Sequence, residues 1–263
     1  MFHNKHGFHA VTELASGITT AIQEPLAESR DTEMTKRPKN SAGLPTHELV
    51  YRQLRDMILF GELVPGQAVT MQGLTAPLGA GMTPVREALR RLIAEGALVT
   101  RGNRRISVPK LTPANVDELI FARQAIDAQL VFRATDNVTI LDMQALAEAD
   151  IALDAAIIRG DIQAYLHHNY RFHALLYDIA DAPILRALAL RMWLLFGPSL
   201  RVVCGRIGTQ SLIDQHKEVL AAMRAGDAER ASDAIRADVL QGMEQVRRAI
   251  TRPDYSCEPI DIE

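Results

Sequence analysis

The stretch Ala80-Gly-Met-Thr-Pro-Val-Arg-Glu-Ala-Leu-Arg-Arg-Leu92 decides the fold of this 263-residue chain. Its apolar residues recur at helical spacing, which predicts an amphipathic helix with one buried face. Thr83 is expected to cap the first turn, and Pro84 suits the first helical position because its missing N–H costs nothing there. Glu87 stands four residues before Arg91, so the two side chains are expected to pair.

The other face of this helix is basic. Arg86 and Arg90 are four residues apart and carry like charges, an arrangement that destabilises a helix unless an anion lies nearby. A DNA phosphate or a guanine edge would supply that anion. An ordinary solvated surface is the alternative when the helix is considered alone.

The flanking sequence favours DNA binding. Thr46 to Phe60 predicts a first helix, Pro65-Gly66 a turn, and Thr70 to Leu78 a short second helix. Ala97 to Thr100 and Arg105 to Pro109 predict two short strands around a basic tip. Helix, helix, recognition helix and hairpin together form a winged helix-turn-helix.

Three motifs resemble the DNA-binding domain of the GntR family of bacterial transcription regulators: Gly61-Glu-Leu-Val-Pro-Gly66, Thr83-Pro-Val-Arg-Glu-Ala-Leu89 and Glu95-Gly-Ala-Leu-Val99. The chain departs from the family at Gly81-Met82, where Ser-Arg is common, and at Arg105, where Gly is common. Its operator sequence therefore does not follow from that of relatives. The residues expected to contact DNA are Thr83, Arg86, Arg90, Arg55, Arg101, Arg104 and Arg105.

Charge is divided unevenly along the chain, whose net charge is −3. Residues 44–111 hold nine Lys or Arg against five Asp or Glu, whereas residues 112–263 hold fifteen against twenty-two. The basic module is the part expected to face DNA. The two cysteines form no metal motif or disulfide framework, and no apolar run reaches the roughly 18 residues of a membrane span. These features predict a cytoplasmic bacterial protein that is nucleoid-associated when bound to DNA and makes no membrane contact.

The chain is expected to divide into four parts. These are a disordered extension (1–43), the winged helix-turn-helix (44–111), an all-helical effector-binding and dimerisation domain (112–252) and a flexible tail (253–263). Alternatives for the extension are a basic arm in the minor groove and, because Met34 resembles an ordinary start, a mis-assigned translation start before residue 34.

After Pro109 the sequence becomes wholly helical in pattern. Six periodic segments follow, near 113–135, 139–159, 161–180, 183–204, 209–225 and 227–250. They predict a mainly α protein whose C-terminal domain is an antiparallel six-helix bundle. The core of such a bundle is a natural ligand pocket.

Four polar side chains fall on the apolar stripes of three of these helices. They are Asn169, His173, His216 and Asp238. Buried polar groups need partners, and a divalent metal would satisfy two imidazoles, a carboxylate and an amide together. A metal-free, hydrogen-bonded polar pocket is the alternative, and in both cases these residues line the pocket.

This half of the chain resembles the FCD ligand-binding domain of the FadR-like branch of the GntR family. The likeness is carried by Arg123-Gln-Ala-Ile-Asp127, Asn169-Tyr-Arg-Phe-His173, His216 and Gly226-Asp227. Many members hold a divalent metal with one Asp and three His, which implies a Zn, Ni or Mn cofactor here. Asn169 stands at the Asp position and Asp238 at the last His position, and these exchanges are expected to weaken zinc binding because an imidazole is lost.

Arg123 lies on the apolar stripe of the first bundle helix, and a buried guanidinium requires an anion. The family resemblance implies that it clamps a carboxylate effector. An internal salt bridge to Asp127, four residues away, is the alternative. Asp127 and Ser199 are added as candidate effector contacts, and Arg191 could face the same cavity.

Together these features predict a ligand-responsive DNA-binding transcriptional regulator and not an enzyme. We expect a homodimer, assembled mainly through the helical domain, on a palindromic operator, with a small carboxylate as effector and repression as the more common outcome. Two alternatives are a metal-dependent enzyme on a helical bundle and an effector-independent DNA-binding protein. The first lacks an evident general base beside the metal, and the second gives the polar constellation no use.

Overall fold

A computed structural model describes residues 45–102, 105–207 and 215–251, apart from the side chains of residues 206 and 207. The predicted extension (1–43) and tail (253–263) lie outside the described residues. So do Arg104 and the first residues of the segment predicted near 209–225. The described residues belong to one compact unit, and their two parts are given in turn below.

The N-terminal part is a three-helix module with a small sheet. Its elements are α1 (Thr46–Leu59), β1 (Ala68–Val69), α2 (Met71–Leu78), α3 (Met82–Ala94), β2 (Val99–Arg101) and β3 (Arg105–Ser107). The strands are antiparallel in the order β1-β3-β2, and Val99 pairs with Ser107 in the wing. The winged helix-turn-helix is confirmed. Strand β1 was not predicted, because two residues are too few to show alternation.

Local sequence sets the ends of the short helices. The Thr70 hydroxyl accepts a hydrogen bond from the Gly73 amide at the start of α2, and Gly79 ends that helix with φ of 57°. Helix α3 begins at Met82, with Gly81 in the extended N-cap conformation and no side-chain cap. The prediction that Thr83 caps α3 was therefore wrong: the helix starts two residues earlier than predicted, which places Thr83 inside its first turn.

The C-terminal part is all helical. Its helices are α4 (Pro113–Asn137), α5 (Ile140–Arg159), α6 (Ile162–Ile179), α7 (Pro183–Ile207), α8 (His216–Arg224) and α9 (Ala228–Ile250). Thr112 and Thr139 begin α4 and α5 with capping boxes, in which the side chain of the third helical residue bonds back to the cap. The predicted mainly α fold, with six helices in this domain, is confirmed.

Helix α7 is the most apolar of these elements. Its segment Pro183–Gly205 is long and apolar enough to cross a membrane by length and composition, but 61% of its most apolar window is buried in the protein. The buried core helix of a globular protein meets the same criterion. One reason for the burial is that α7 also packs against α1 of the winged module.

Candidate functional site

A small cavity lies among helices α4, α6, α7 and α9, with a volume of about 40 Å³. Its described lining residues are Arg123, Tyr165, Asn169, His173, Trp193, Phe196, Leu200, Asp238, Gln241, Gly242 and Gln245. Four of the predicted site residues, Arg123, Asn169, His173 and Asp238, therefore face one space, whereas His216 is not among the described residues that line it. Helical spacing explains two of them, because Asn169 and His173 are one turn apart on α6.

Two histidines and a carboxylate form a cluster at this cavity. His173 Nε2 lies 3.2 Å from Asp238 Oδ2, and His216 Nε2 lies 3.8 Å from Asp238 Oδ1. One candidate ligand atom from each of the three residues lies within 4.8 Å of the others. His173 and His216 are buried, and His216 stacks on Phe172 with ring centroids 3.8 Å apart. The sequence spacing thus identified three side chains that the fold brings together from three helices.

The cluster holds the protonation states that a dication needs. Burial lowers the pKa of His216 to about 3, with Asp238 acting in the opposite sense, so the imidazole is neutral near pH 7. Burial is the largest single effect on Asp238 and raises the pKa of its carboxyl. The hydrogen bond with His173, the electrostatic interactions with both histidines and the hydrogen bond from the Gln215 amide together outweigh burial, so the pKa is lowered. Metal ligands must be deprotonated, and the neutral imidazole of His216 beside the ionised carboxylate of Asp238 meets that condition. The donor set fits a divalent ion.

A fourth titratable residue, Asp150 on α5, lies on the Nδ1 side of the His216 ring, away from Asp238. Its Oδ1 is 3.7 Å from His216 Nδ1, and its Oδ2 is 3.6 Å from Lys217 Nζ. Burial raises the pKa of Asp150. A carboxylate behind the non-ligating nitrogen of a histidine is a common support for a metal ligand. Sequence reasoning missed Asp150, although it interrupts the apolar stripe of α5 next to Ala149 and could have been found there.

Arg123 pairs internally with Asp127. Its Nε and Nη2 donate to Asp127 Oδ2 at 3.1 and 2.9 Å, and both residues are buried. The guanidinium also lies over the rings of Trp193 and Phe196, 5.0 and 4.4 Å from their centroids. The predicted salt bridge is therefore formed, while Arg123 still lines the cavity. Its effector contact stays a prediction.

Two further candidates on α7 lie elsewhere. Ser199 is buried and is not among the described residues that line the cavity. Arg191 is exposed and its Nε donates to the Glu95 carbonyl at 2.8 Å, so it faces the winged module. Trp193 and Phe196 are three positions apart on α7, and both face the cavity. Arg191 lies on a different side of the helix.

The basic face of the winged module is exposed. Thr83, Arg86 and Arg90 are solvent-exposed on α3. Arg101 and Arg105 are exposed and pair across the wing in register. Arg104 lies outside the described residues. Five of the seven residues predicted to contact DNA thus form the free surfaces of the recognition helix and the wing.

Two predictions about charged residues of this module need correction. Arg55 has a side-chain exposure of 19%, and its Nη2 donates to the Tyr170 hydroxyl of α6 at 3.1 Å, so it faces the helical domain and not the DNA side. Arg91 pairs with Glu48 at 3.0 Å and Glu95 at 3.2 Å, and not with Glu87. Helix α1 packs beside α3 and offers Arg91 a nearer acid than its own helix face does.

A winged helix with an exposed basic recognition helix, joined to a helical domain with a buried polar cavity, defines a DNA-binding transcriptional regulator. Residues 46–108 match the family described as "Bacterial regulatory proteins, gntR family", and residues 118–241 match the FCD domain. The chain is 30% identical to the HTH-type transcriptional regulator McbR of Escherichia coli K12 over 183 residues, 68% of this chain and 83% of that protein.

Other relatives agree. The HTH-type transcriptional repressor RspR of Escherichia coli K12 is 26% identical over 227 residues, which are 82% of this chain and 96% of that protein. The solved structure titled "E. coli McbR/YncC" superposes with a TM-score of 0.75 at 26% identity and covers 79% of this chain and all of that one. The chain belongs to the GntR family of bacterial transcriptional regulators, with a C-terminal FCD domain, and it is not an enzyme.

Proposed function

We propose that this regulator is a ligand-responsive repressor whose helical domain binds a small organic acid through a divalent metal. Repression is supported by the likeness to RspR, which is named as a repressor. The observation that carries the ligand proposal is the buried cluster of His173, His216 and Asp238 at the wall of a cavity that also contains Arg123. Buried ionisable groups of this kind, in a cleft, mark functional sites.

The proposed roles of the residues follow from their chemistry. His173, His216 and Asp238 would hold a Zn, Ni or Mn ion, with the amide oxygen of Asn169 as the weakest ligand. When bound, the ion supplies positive charge that attracts a carboxylate. Arg123 adds a second positive group at the cavity wall, and its partner Asp127 fixes its position. The aromatic rings of Trp193 and Phe196 exclude water around it.

The proposed working form is a cytoplasmic homodimer on a palindromic operator. Two-fold symmetric proteins bind palindromes because each protomer contacts one half-site. Large apolar side chains are exposed on the helical domain, among them Phe121 on α4 at 78% and Ile184 on α7 at 77% exposure, and they offer surface for a second copy. The mass of the purified chain in solution, measured by light scattering, tests this part.

The metal is tested by elemental analysis of the purified chain after incubation with excess Zn²⁺, Ni²⁺ or Mn²⁺ and desalting. We expect bound metal in the wild type and none in a His173→Ala, His216→Ala double variant. A thermal-shift screen of organic acids, with and without the metal, then identifies the effector, because only a ligand of the folded state raises the melting temperature. Equal metal contents in the two proteins would overturn the metal site and leave a hydrogen-bonded polar pocket.

A further inference from the structure

Helix α7 lies between the cavity and the winged module. Trp193, Phe196 and Leu200 face the cavity at intervals of three and four residues. The residues on the other side of α7 touch the winged module instead. One helix therefore contacts both the ligand space and the DNA-binding domain.

Two contacts fix α7 against the winged module. Arg191 Nε donates to the carbonyl of Glu95, the residue that ends α3. At Gly197, a Cβ would overlap with the carbonyl oxygen of Leu59, the last residue of α1. Because backbone lies directly against backbone there, α7 cannot shift toward α1 without displacing it.

A third contact comes from α6. The Tyr170 ring meets the Trp193 ring edge-on, with centroids 5.3 Å apart, and meets the Phe60 ring at 5.7 Å on the other side. Its hydroxyl accepts a hydrogen bond from Arg55 Nη2 at 3.1 Å. Trp193 in turn lies 5.2 Å from the His173 ring, centroid to centroid. Packed rings thus form a continuous path from His173 through Trp193 and Tyr170 to Phe60, which follows the last residue of α1.

Helix α1 is tied firmly to the recognition helix. The Tyr51 hydroxyl donates to the Glu95 carboxylate at 2.9 Å, and the Arg91 guanidinium lies 3.5 Å from the centroid of the Tyr51 ring. Arg91 also pairs with Glu48. A displacement of α1 is therefore passed on to α3.

We propose that cavity occupancy is transmitted to the recognition helix through this seam, formed by Trp193, Tyr170 and the Gly197–Leu59 contact. The proposal rests on the proposed function as a ligand-responsive regulator, and it names the path of regulation. It makes the seam a carrier of the signal. Coupling between two sites is reciprocal, so DNA binding at α3 must change the affinity of the cavity for its ligand by the same factor. Because Trp193 lies in the seam, we expect DNA binding to change its surroundings as well.

Trp193 is the only tryptophan of the chain and reports on the cavity without a label. The full-length chain is titrated with the DNA duplex that it selects from a random-sequence library, and tryptophan emission is recorded. We expect the duplex to change the emission of the wild type. Tyr170→Phe keeps the ring contacts but removes the hydroxyl that Arg55 contacts. It should bind the duplex with affinity close to that of the wild type and show a clearly smaller emission change.

Gly197→Ala and Gly205→Ala form a matched pair on α7. A Cβ at 197 overlaps Leu59, whereas a Cβ at 205 meets nothing within 4 Å. Gly197→Ala should change duplex affinity by about 5-fold or more and alter the emission response, while Gly205→Ala should behave as the wild type does. If Gly197→Ala does not fold, Tyr170→Phe decides.

The seam is excluded if the wild type shows no emission change at saturating duplex, or if Tyr170→Phe responds as fully as the wild type. Failure of the proposed function gives a different result. A wild type that takes up no Zn²⁺, Ni²⁺ or Mn²⁺ and is stabilised by no organic acid, but whose emission responds to DNA through Tyr170, would support the seam and overturn only the ligand.

Discussion

The recognition helix and the cavity use charge in opposite ways. Arg86 and Arg90 are exposed on α3, where we expect their partners to be the phosphates and base edges of DNA. In the cavity, Arg123 is 4% exposed and Asp127 is fully buried, and each is held by the other. Removing an exposed charge changes the free energy of unfolding little, whereas removing one partner of a buried ion pair lowers it strongly. A buried charged residue at a site can therefore affect both stability and function.

This contrast is tested most strongly at Asp127. Replacement by Ala leaves the Arg123 guanidinium buried without its acid and should lower the free energy of unfolding by about 3–5 kcal/mol. Chemical denaturation of the two proteins measures the loss. Arg86→Ala is the control, since a surface substitution should change the unfolding free energy by about 0.5 kcal/mol or less. Equal stabilities for Asp127→Ala and the wild type would remove the contrast.

In the recognition helix, substitution should have a large effect on DNA binding and a small effect on stability. Arg86→Ala is expected to weaken binding to the selected duplex by about 1–3 kcal/mol and to relax the sequence preference, because a base contact is lost. Binding titrations with the selected duplex and with single-base variants measure both effects. Arg123→Ala should keep duplex affinity near wild type but abolish the response to the effector. Wild-type duplex binding by Arg86→Ala would show that another residue reads the operator.

Much of the winged module could be predicted because its signals are local. The apolar spacing of α3 lies within one continuous stretch, and its basic face is exposed as that spacing requires. Two partners were missed because they lie on other elements: Tyr170 for Arg55 and Glu48 for Arg91. The second partner of Arg91, Glu95, lies at the end of its own helix and was not predicted either. Tyr170 is 115 residues from Arg55, and Glu48 is 43 residues from Arg91. Helical spacing says which face a residue occupies, but not which helix packs against it.

The cavity was predicted in part for a related reason. His173, His216 and Asp238 interrupt apolar stripes, so each was visible as a buried polar residue on its own helix. Their mutual distances depend on how α6, α8 and α9 pack, which periodicity does not supply. Asp150 interrupts the apolar stripe of α5 in the same way and was overlooked. The contacts of α7 with the winged module could not be predicted from the sequence, because the Gly197-Pro198 pair does not indicate which element packs there.

The buried cluster should make stability depend on pH. His216 has a folded pKa of about 3 against an ordinary value of 6.5, so below pH 6.5 the unfolded chain binds the proton that the folded chain refuses. Its contribution is complete above pH 6.5 and falls as the pH decreases toward 3. At pH 5 the wild type should have lost about 2 kcal/mol of unfolding free energy relative to pH 7.

Denaturation curves at these two pH values, for the wild type and His216→Gln, measure this contribution. The variant should show a smaller loss, because glutamine does not titrate. An equal loss in both proteins would assign the pH dependence to other groups.

Asp150 lies next to His216, a proposed metal ligand, but is not itself proposed to contact the metal. Asp150→Asn should lower metal affinity about tenfold, because the carboxylate behind His216 Nδ1 is lost while all three metal ligands remain. Competition with a chelator of known affinity measures the change. Asp154→Asn is the matched control, since Asp154 is 41% exposed and pairs with the same lysine, Lys217, at 2.9 Å. Equal losses in the two variants would point to Lys217, and not to orientation of His216.

The wing should give the smallest effect. Arg105 is exposed and lies across the strand pair from Arg101, and we expect it to meet phosphates and not a base edge. Arg105→Ala should therefore weaken all duplexes alike and reduce the slope of log K against log salt concentration by about 0.9, the share of one phosphate contact. Titrations of selected and mismatched duplexes over a series of salt concentrations measure both quantities. A change in the ratio between the two duplexes would show that the wing reads sequence, and the division between a base-reading helix and a phosphate-binding wing would then fail.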